Sequence, residues 1–337
     1  MMPSFDPASA DLQFFRYRLT LATPARTHVG WVSDKPGLLV RVRNEGYEGW
    51  GDIAPLAGYS RPGFGEVVEA VRAGVRDPSR WPDIMATIPC IDCGLHGAFL
   101  DLRRGPTDVS LPIARLIPSA PPAEIAVAVD AAVAEGYRAI KIKVGQGVVA
   151  ADIELIRAIT ARLPPGVALR LDANRRWSLA DALAFSRAVE HEAIAFIEEP
   201  VASWSDLTAY DQGQSLPFAL DERLAEHTAD EIPDWPRLGA LVIKPSLLGG
   251  PGMCRPWRAL AERRGLPLVV SAMYESGVGI RMLMHLANEW APDLPAGLDT
   301  YAAIADDLVV PRLVVRRGRL HDQPASHIER DRLEPLA

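Results

Sequence analysis

The sequence predicts an α/β protein: a (β/α) TIM-type barrel with an α+β capping unit drawn from the N-terminus and a C-terminal segment. Three observations lead there. From about residue 105, short apolar runs alternate with longer amphipathic stretches. Between Lys143 and Ser271 these units recur about every 26 residues, the length of a strand, a helix and two short loops. The first hundred residues carry a different, antiparallel pattern. The expected division is 1–104 for the cap, completed by 306–337, and 105–305 for the barrel.

In chain order, DLQFFRYRLTL and GLLVRVRNEGYEGWGD read as antiparallel strands with a turn at Asn44-Glu45-Gly46, followed by helical stretches around 63–77 and 92–103. The barrel runs are LPIARLI (111–117), AIKIKV (139–144), VALRLDAN (167–174), AIAFIEEP (193–200), PFALDE (217–222), ALVIKP (240–245), PLVVSAM (267–273) and a weaker AGLDT (296–300). Between them, PAEIAVAVDAAVAEGY and ADIELIRAITARLP repeat apolar residues at helical spacing. Eight such units with right-handed crossovers close into a barrel. The open doubly wound alternative lacks a G-x-G-x-x-G after a first strand. The run DLVVPRLVVRRGRLH (307–321) reads as further strands that return to complete the N-terminal unit.

With 48% apolar and 23% charged residues over 337 positions, the chain has material for a large core and no sign of disorder. A net charge of -7 and no basic block argue against nucleic acid as a partner. No basic leader precedes an apolar stretch and no apolar run spans a bilayer, so a cytoplasmic protein without a membrane partner is expected. The sequence sets no oligomeric state. Cys90 and Cys93 form a lone C-x-x-C, with Cys254 far away, and read as buried or helix-borne thiols rather than a redox or zinc pair.

Lysine usage narrows the search for chemistry. Of 36 basic residues only Lys35, Lys141, Lys143 and Lys244 are lysines. Arginine stays protonated, whereas a buried lysine can exchange a proton. Strand alternation points Lys141 and Lys143 to one face, and Arg170, Asp172 and Asn174 to one face of the next strand. That polar file on a buried strand needs an occupant, which makes Arg170 and Asn174 candidate substrate-binding residues. Glu198, Asp221 and Lys244 end the following strands, so the inward order round the barrel is Lys, Asp, Glu, Asp, Lys. Three adjacent carboxylates repel unless a cation sits among them, and all-oxygen ligands favour Mg²⁺ over zinc or copper.

KIKVG, LRLDANRRWS, FIEEP, LDE and VIKP, with GWGDIAPLAGYS (49–60), SAMYESGVG (271–279) and GLDT (297–300), resemble the enolase superfamily over about residues 12–305. The likeness is to its muconate-lactonising subgroup, with a lysine on each side of the metal. The resemblance implies Asp172, Glu198 and Asp221 as Mg²⁺ ligands. It implies Lys143 as acid/base on one face of a small-molecule carboxylate substrate, Lys244 as the cation on the other, and Lys141 as a charge that depresses the pKa of Lys143. Asn174, Glu199 and Glu222 would support the ligands, Ser271 and Ser276 would lie near the distal part of the substrate, and residues 20–31 and 53–60 would close over it. The implied reaction is dehydration of a hydroxycyclohexadiene carboxylate to 2-succinylbenzoate in menaquinone biosynthesis. Its rivals are racemisation of N-acylamino acids or epimerisation of dipeptides, then muconate lactonisation, then a non-catalytic binding relative. Two departures stand out: Asp-Glu-Arg at 221–223, where relatives commonly have Asp-Glu-Ser, and Met273-Tyr274, in a stretch that varies with substrate.

Overall fold

The computed structural model describes residues 6–27, 30–104, 108–189, 192–213, 216–323 and 325–336, and of residues 25–27 the backbone alone. Residues 105–107, beside the expected domain boundary, and 28–29 of the expected closing segment lie outside the described residues.

The N-terminal strands are β1 (Asp11–Thr27), β2 (Gly30–Asn44) and β3 (Tyr47–Ile53). They pair antiparallel in sequence order. The β2–β3 turn falls where the sequence places it: Asn44 faces Tyr47, and Glu45 (φ 48°) and Gly46 (φ 84°) supply the two positive-φ positions that match the twist of a tight hairpin. One sheet face buries Phe14, Leu38, Val40, Val42 and Ile53 against the helices Phe64–Arg76, Trp81–Thr87 and Pro89–Arg104. On the last helix Cys90 and Cys93 are buried free thiols, as expected, and burial pushes both pKa values up.

After the short β4 (Ser110–Pro112), seven strands form one parallel sheet in sequence order: β5 (Arg115–Ile117), β6 (Ala139–Lys143), β7 (Ala168–Asp172), β8 (Ile194–Glu198), β9 (Phe218–Leu220), β10 (Leu238–Ile243) and β11 (Leu268–Val270). The eighth run is reduced to a seam. Ala296 bridges Ile113 and Gly297 bridges Ser271, with Ala296 N–H donating to Pro112 O at 2.9 Å and Gly297 N–H to Val270 O at 2.8 Å. These bonds join the two edges of the curled sheet. Outward residues such as Ile140, Ile142, Leu169, Leu171, Leu220 and Ile243 belong to the main core beneath the helices. The inward residues make two layers: Phe196, Ala219, Ala240, Val242 and Val269 form a separate apolar cluster, and the charged residues stand beyond it at the strands' C-terminal ends. No helix among the described residues is long and apolar enough to cross a membrane.

The strands expected over 307–321 form, but their pairing corrects the expectation. Val314–Arg316 turns through Arg317 (φ 51°) and Gly318 (φ 68°) into Arg319–His321, which pairs with β4, while Val309–Val310 pairs with His327–Ile328. Among the described residues of 306–337, Glu334–Pro335 is the strand that joins the cap sheet, pairing with β1 at Phe15 and Arg16. An Arg-Gly turn makes a local hairpin, and its partner is fixed by the backbone edge that β4 leaves open.

Glycines set how closely cap strand and helix approach. A Cβ on Gly51 would overlap the carbonyl of Gly94 and the amide of Ala98 in the helix behind it, whereas Gly65, in the first helix, has open space. Gly51→Ala is expected to cost about 1–3 kcal/mol by overpacking, and Gly65→Ala to be neutral or stabilising by up to about 1 kcal/mol. Thermal melts of the two variants check the contrast.

Candidate active site

At the barrel mouth the strand ends assemble one charged layer. Register places Lys143 beside Asp172 and Asp172 beside Glu198. The Lys141 ammonium lies between two carboxylates, 2.9 Å from Asp172 Oδ2 and 2.5 Å from Glu198 Oε2. Lys244 Nζ stands 2.6 Å from Asp221 Oδ2. Lys143 Nζ donates to Asn174 Oδ1 at 2.9 Å.

Local charges decide each group's proton affinity. Burial raises the pKa of Asp172, but Lys141 and Lys143 outweigh it and hold the carboxyl down. Glu198 shares Lys141 yet is pushed up, because burial and the repulsion of Asp172 and Asp221 exceed that one attraction. Burial also pushes Glu222 up to about 7, with Asp221 and Asp172 adding to it. Burial works against the Lys244 ammonium, but Asp221 and Glu222 hold its pKa up. Lys143 is lowered: burial leads, Lys141 and Lys244 add to it, and Asp172 opposes. The expected effect of Lys141 on Lys143 is therefore present, second to burial.

The expected carboxylates do not converge as a free ligand group. Among the described residues no three Asp, Glu, His or Cys side chains stand ready to hold a metal ion. The physical reason is that ammonium groups take the neutralising positions, Lys141 between Asp172 and Glu198 and Lys244 on Asp221. The donor chemistry nevertheless suits a hard cation: every acceptor is oxygen, Lys141 marks a cation position, and the buried Asp221 Oδ1 has no hydrogen-bond partner.

Of the expected substrate contacts, Arg170, Asn174 and Ser271 line the cleft with Lys141, Lys143, Asp172, Glu198 and Lys244. Arg170 is buried over the Phe196 ring, 5.4 Å from its centroid, and its Nε has no partner. Burial lowers its pKa to about 10. Ser276 does not line the cleft. It is the N-cap of the helix Gly277–Trp290, and its amide and hydroxyl both donate to Asp52 of the cap at 2.8 Å. The expected place beside the substrate is thus corrected: its partner is a distant carboxylate. Glu199 accepts from the amides of Asp221 and Arg223 at 3.0 and 3.2 Å and pairs with Arg175 and Arg223. Glu222 lines the cleft and approaches Asn174 Nδ2 at 3.5 Å.

Of the two segments expected to close the mouth, 53–60 reaches it with Leu56 and Tyr59 in the cleft lining, and among the described residues of 20–31 none lines it. Tyr274, set apart in the sequence as part of a stretch that varies with substrate, stands at the cleft wall with φ 61°, whereas sequence reasoning missed Asp299, whose carboxylate accepts from Leu116 N–H at 2.8 Å and Arg115 at 3.1 Å. Nothing in the GLDT run marked Asp299 as turning inward. Lys35, the fourth lysine that rarity singled out, is buried outside the cleft lining.

A family model described as "Enolase C-terminal domain-like" matches residues 124–325, and one described as "MenC, N-terminal domain" matches residues 9–102. An o-succinylbenzoate synthase of Enterobacter sp. (strain 638) is 30% identical, over 96% of this chain and 98% of its own. Among solved structures, an enolase superfamily member from Roseovarius nubinhibens, complexed with magnesium, has a TM-score of 0.82 at 23% identity, covering 97% of each chain. The o-succinylbenzoate synthase of Thermosynechococcus elongatus, with magnesium in its active site, has a TM-score of 0.72 at 27% identity, covering 88% of this chain and 94% of its own. An N-succinyl Arg/Lys racemase of Bacillus cereus shares the fold, with a TM-score of 0.78 at 21% identity and 95% of each chain covered.

Arg223, the departure from Asp-Glu-Ser, has a structural account. Its guanidinium is 2% exposed, pairs with Glu199, and donates to the carbonyls of Val201 and Ala202 at 2.7 and 2.6 Å. Arg223→Ser strands part of a buried carboxylate's charge and leaves two carbonyls without that donor, for an expected loss of about 3 kcal/mol in denaturant unfolding.

Proposed function

We infer the reaction from one premise: the chain belongs to the enolase superfamily. Within it we propose an Mg²⁺-dependent o-succinylbenzoate synthase, which dehydrates 2-succinyl-6-hydroxy-2,4-cyclohexadiene-1-carboxylate to 2-succinylbenzoate. The observation that carries the reading is that Lys143 and Lys244 face one cleft from the second and sixth of eight barrel positions, on either side of Asp172, Glu198 and Asp221. A lysine or histidine base beside Mg²⁺ is general to this superfamily. The relative from Enterobacter, matched along nearly its whole length, favours the synthase among the possible reactions.

Asp172, Glu198 and Asp221 would hold the metal. Bound Mg²⁺ supplies fixed positive charge beside the substrate carboxylate, where negative charge develops as the neighbouring carbon loses its proton. Burial favours the neutral amine of Lys143, and Asn174 Oδ1 orients it through the 2.9 Å hydrogen bond. Lys143 takes the proton from the carbon next to the carboxylate and returns it to the departing hydroxyl, so one face of the substrate serves both transfers and water leaves. Lys244, held charged by Asp221, presents a cation to the other face. The opposed lysines also favour a second reading, racemisation of an N-acylamino acid, in which each serves one enantiomer.

Lys143→Arg is expected to lower synthase turnover at least about 100-fold, since arginine keeps the charge and cannot act as a base. Lys244→Arg is expected to retain measurable turnover. The racemase reading replaces this one if the wild type turns over an N-succinylamino acid far faster, and heavy-water exchange assigns each enantiomer to a different lysine. Titration calorimetry of the substrate-free protein tests the metal separately: Mg²⁺ binding is expected in the wild type and weakened in Asp221→Asn.

A further inference from the structure

Asp92 has no place in that reaction and does not line the cleft, yet it is only 5% exposed. A carboxylate so buried persists where neighbours hydrogen-bond it. It stands in the first turn of the cap helix Pro89–Arg104 and meets the barrel directly: its Oδ2 accepts from the Gly250 N–H at 2.7 Å, across 158 residues of chain. Nδ1 of His96, one turn further along the same helix, lies 3.1 Å from Oδ1 and 2.9 Å from the Asp92 carbonyl oxygen. Gly250 is the N-cap of the helix Pro251–Arg264, so a carboxylate from the cap satisfies an amide at the positive end of a barrel helix. Glycine keeps that approach open. A Cβ on Gly250 would stand 3.1 Å from Asp92 Oδ2 and 3.0 Å from His96 Nδ1, and Gly249, with φ 103°, has a backbone that favours glycine.

From Gly250 a short run of bonds leads back to Lys244. Gly249 N–H donates to Pro245 O at 2.8 Å, and the amides of Leu247 and Leu248 donate to Lys244 O at 2.8 and 3.0 Å. The helical turn Pro245–Leu248 is thus held at both ends: it begins at Lys244, whose ammonium stands 2.6 Å from Asp221 Oδ2, and it runs out into the residue that Asp92 grips. Ser246 ties the same turn to Glu275 inside the barrel; Asp92 ties it to the cap. We propose that Asp92 is a positioning residue: through the Gly250 amide it fixes the turn after Lys244, and so sets where the Lys244 ammonium stands across the cleft from Lys143. Asp92 touches no reacting atom. The inference rests on the proposed function only for the part that Lys244 plays in the cleft.

The chain has four lysines, so an NMR spectrum of the full protein labelled with ¹³C at lysine Cε, in Mg²⁺ buffer without substrate, resolves each of them, and replacing the lysines one at a time assigns the signals. In Asp92→Ala the Lys244 signal is expected to shift by more than its linewidth, while those of Lys35, Lys141 and Lys143 stay within theirs. Asp92→Asn, which keeps an oxygen for the Gly250 amide, is expected to restore the wild-type position. Gly250→Ala presses on the same contact from the barrel side and is expected to shift the Lys244 signal as well, so it decides the matter should Asp92→Ala not fold. With whichever substrate the wild type turns over, kcat is expected to fall about tenfold in Asp92→Ala and KM to stay within about threefold, because the cation acts on charge that develops in the transition state. A Lys244 signal that stays in place, equal shifts of all four lysines, failure of Asp92→Asn to restore the signal, or an unchanged kcat overturns the inference. Lack of synthase turnover by the wild type would count against the reaction, and the spectra would still decide the role of Asp92.

Discussion

Charge neutrality inside the barrel is the constraint on which the rest depends. Five ionisable side chains, Lys143, Asp172, Glu198, Asp221 and Lys244, stand at the ends of five consecutive strands, with Lys141 one step deeper. Such groups survive burial only when each negative charge has a positive one within a few ångströms. The sheet provides this through register: pairing Lys143 with Asp172 and Asp172 with Glu198 fixes who can reach whom before any side chain chooses a rotamer. The apolar layer around Phe196 and Val242 closes the floor below, keeps the local dielectric low, and makes every charge above it count for more.

The same requirement appears again between cap and barrel. Tyr17 and Asp52 come from the cap, Ser276 and Asp307 from the far end of the chain, and their bonds converge on the start of the helix Gly277–Trp290. Gly277 N–H donates to Asp307 at 2.8 Å and Ser276 N–H to Asp52, so two buried carboxylates satisfy amides at the positive end of the helix. A cleft assembled from two sheets needs such an anchor, because loops alone would leave its walls free to drift.

Much of this was legible in the sequence because period-two alternation is a strict geometric rule. It put Lys141 with Lys143, and Arg170 with Asp172 and Asn174, on the cleft side, and the structure has them there. The Asn44-Glu45-Gly46 turn was legible because so few residues accept positive φ. What could not be read was partnership across long separations. Ser276 carries no mark that its partner lies 224 residues earlier, and the strands of 307–321 do not announce which edge they will join. Nor does alternation reveal that Lys141 would lodge between two carboxylates, since that depends on side-chain reach rather than face.

The seam at Ala296 and Gly297 has a consequence in time. Chains are made from the N-terminus, and seven strands can pair with their neighbours as each emerges. The two edges, however, stay unjoined until residues 296 and 297 are available to bond Pro112 and Val270. The cap sheet waits longer still, since the strand beside β1 is Glu334–Pro335. A nascent chain thus carries an open parallel edge from the emergence of β5 until residues 296 and 297 follow about 180 residues later, and those two residues are what remove that exposure.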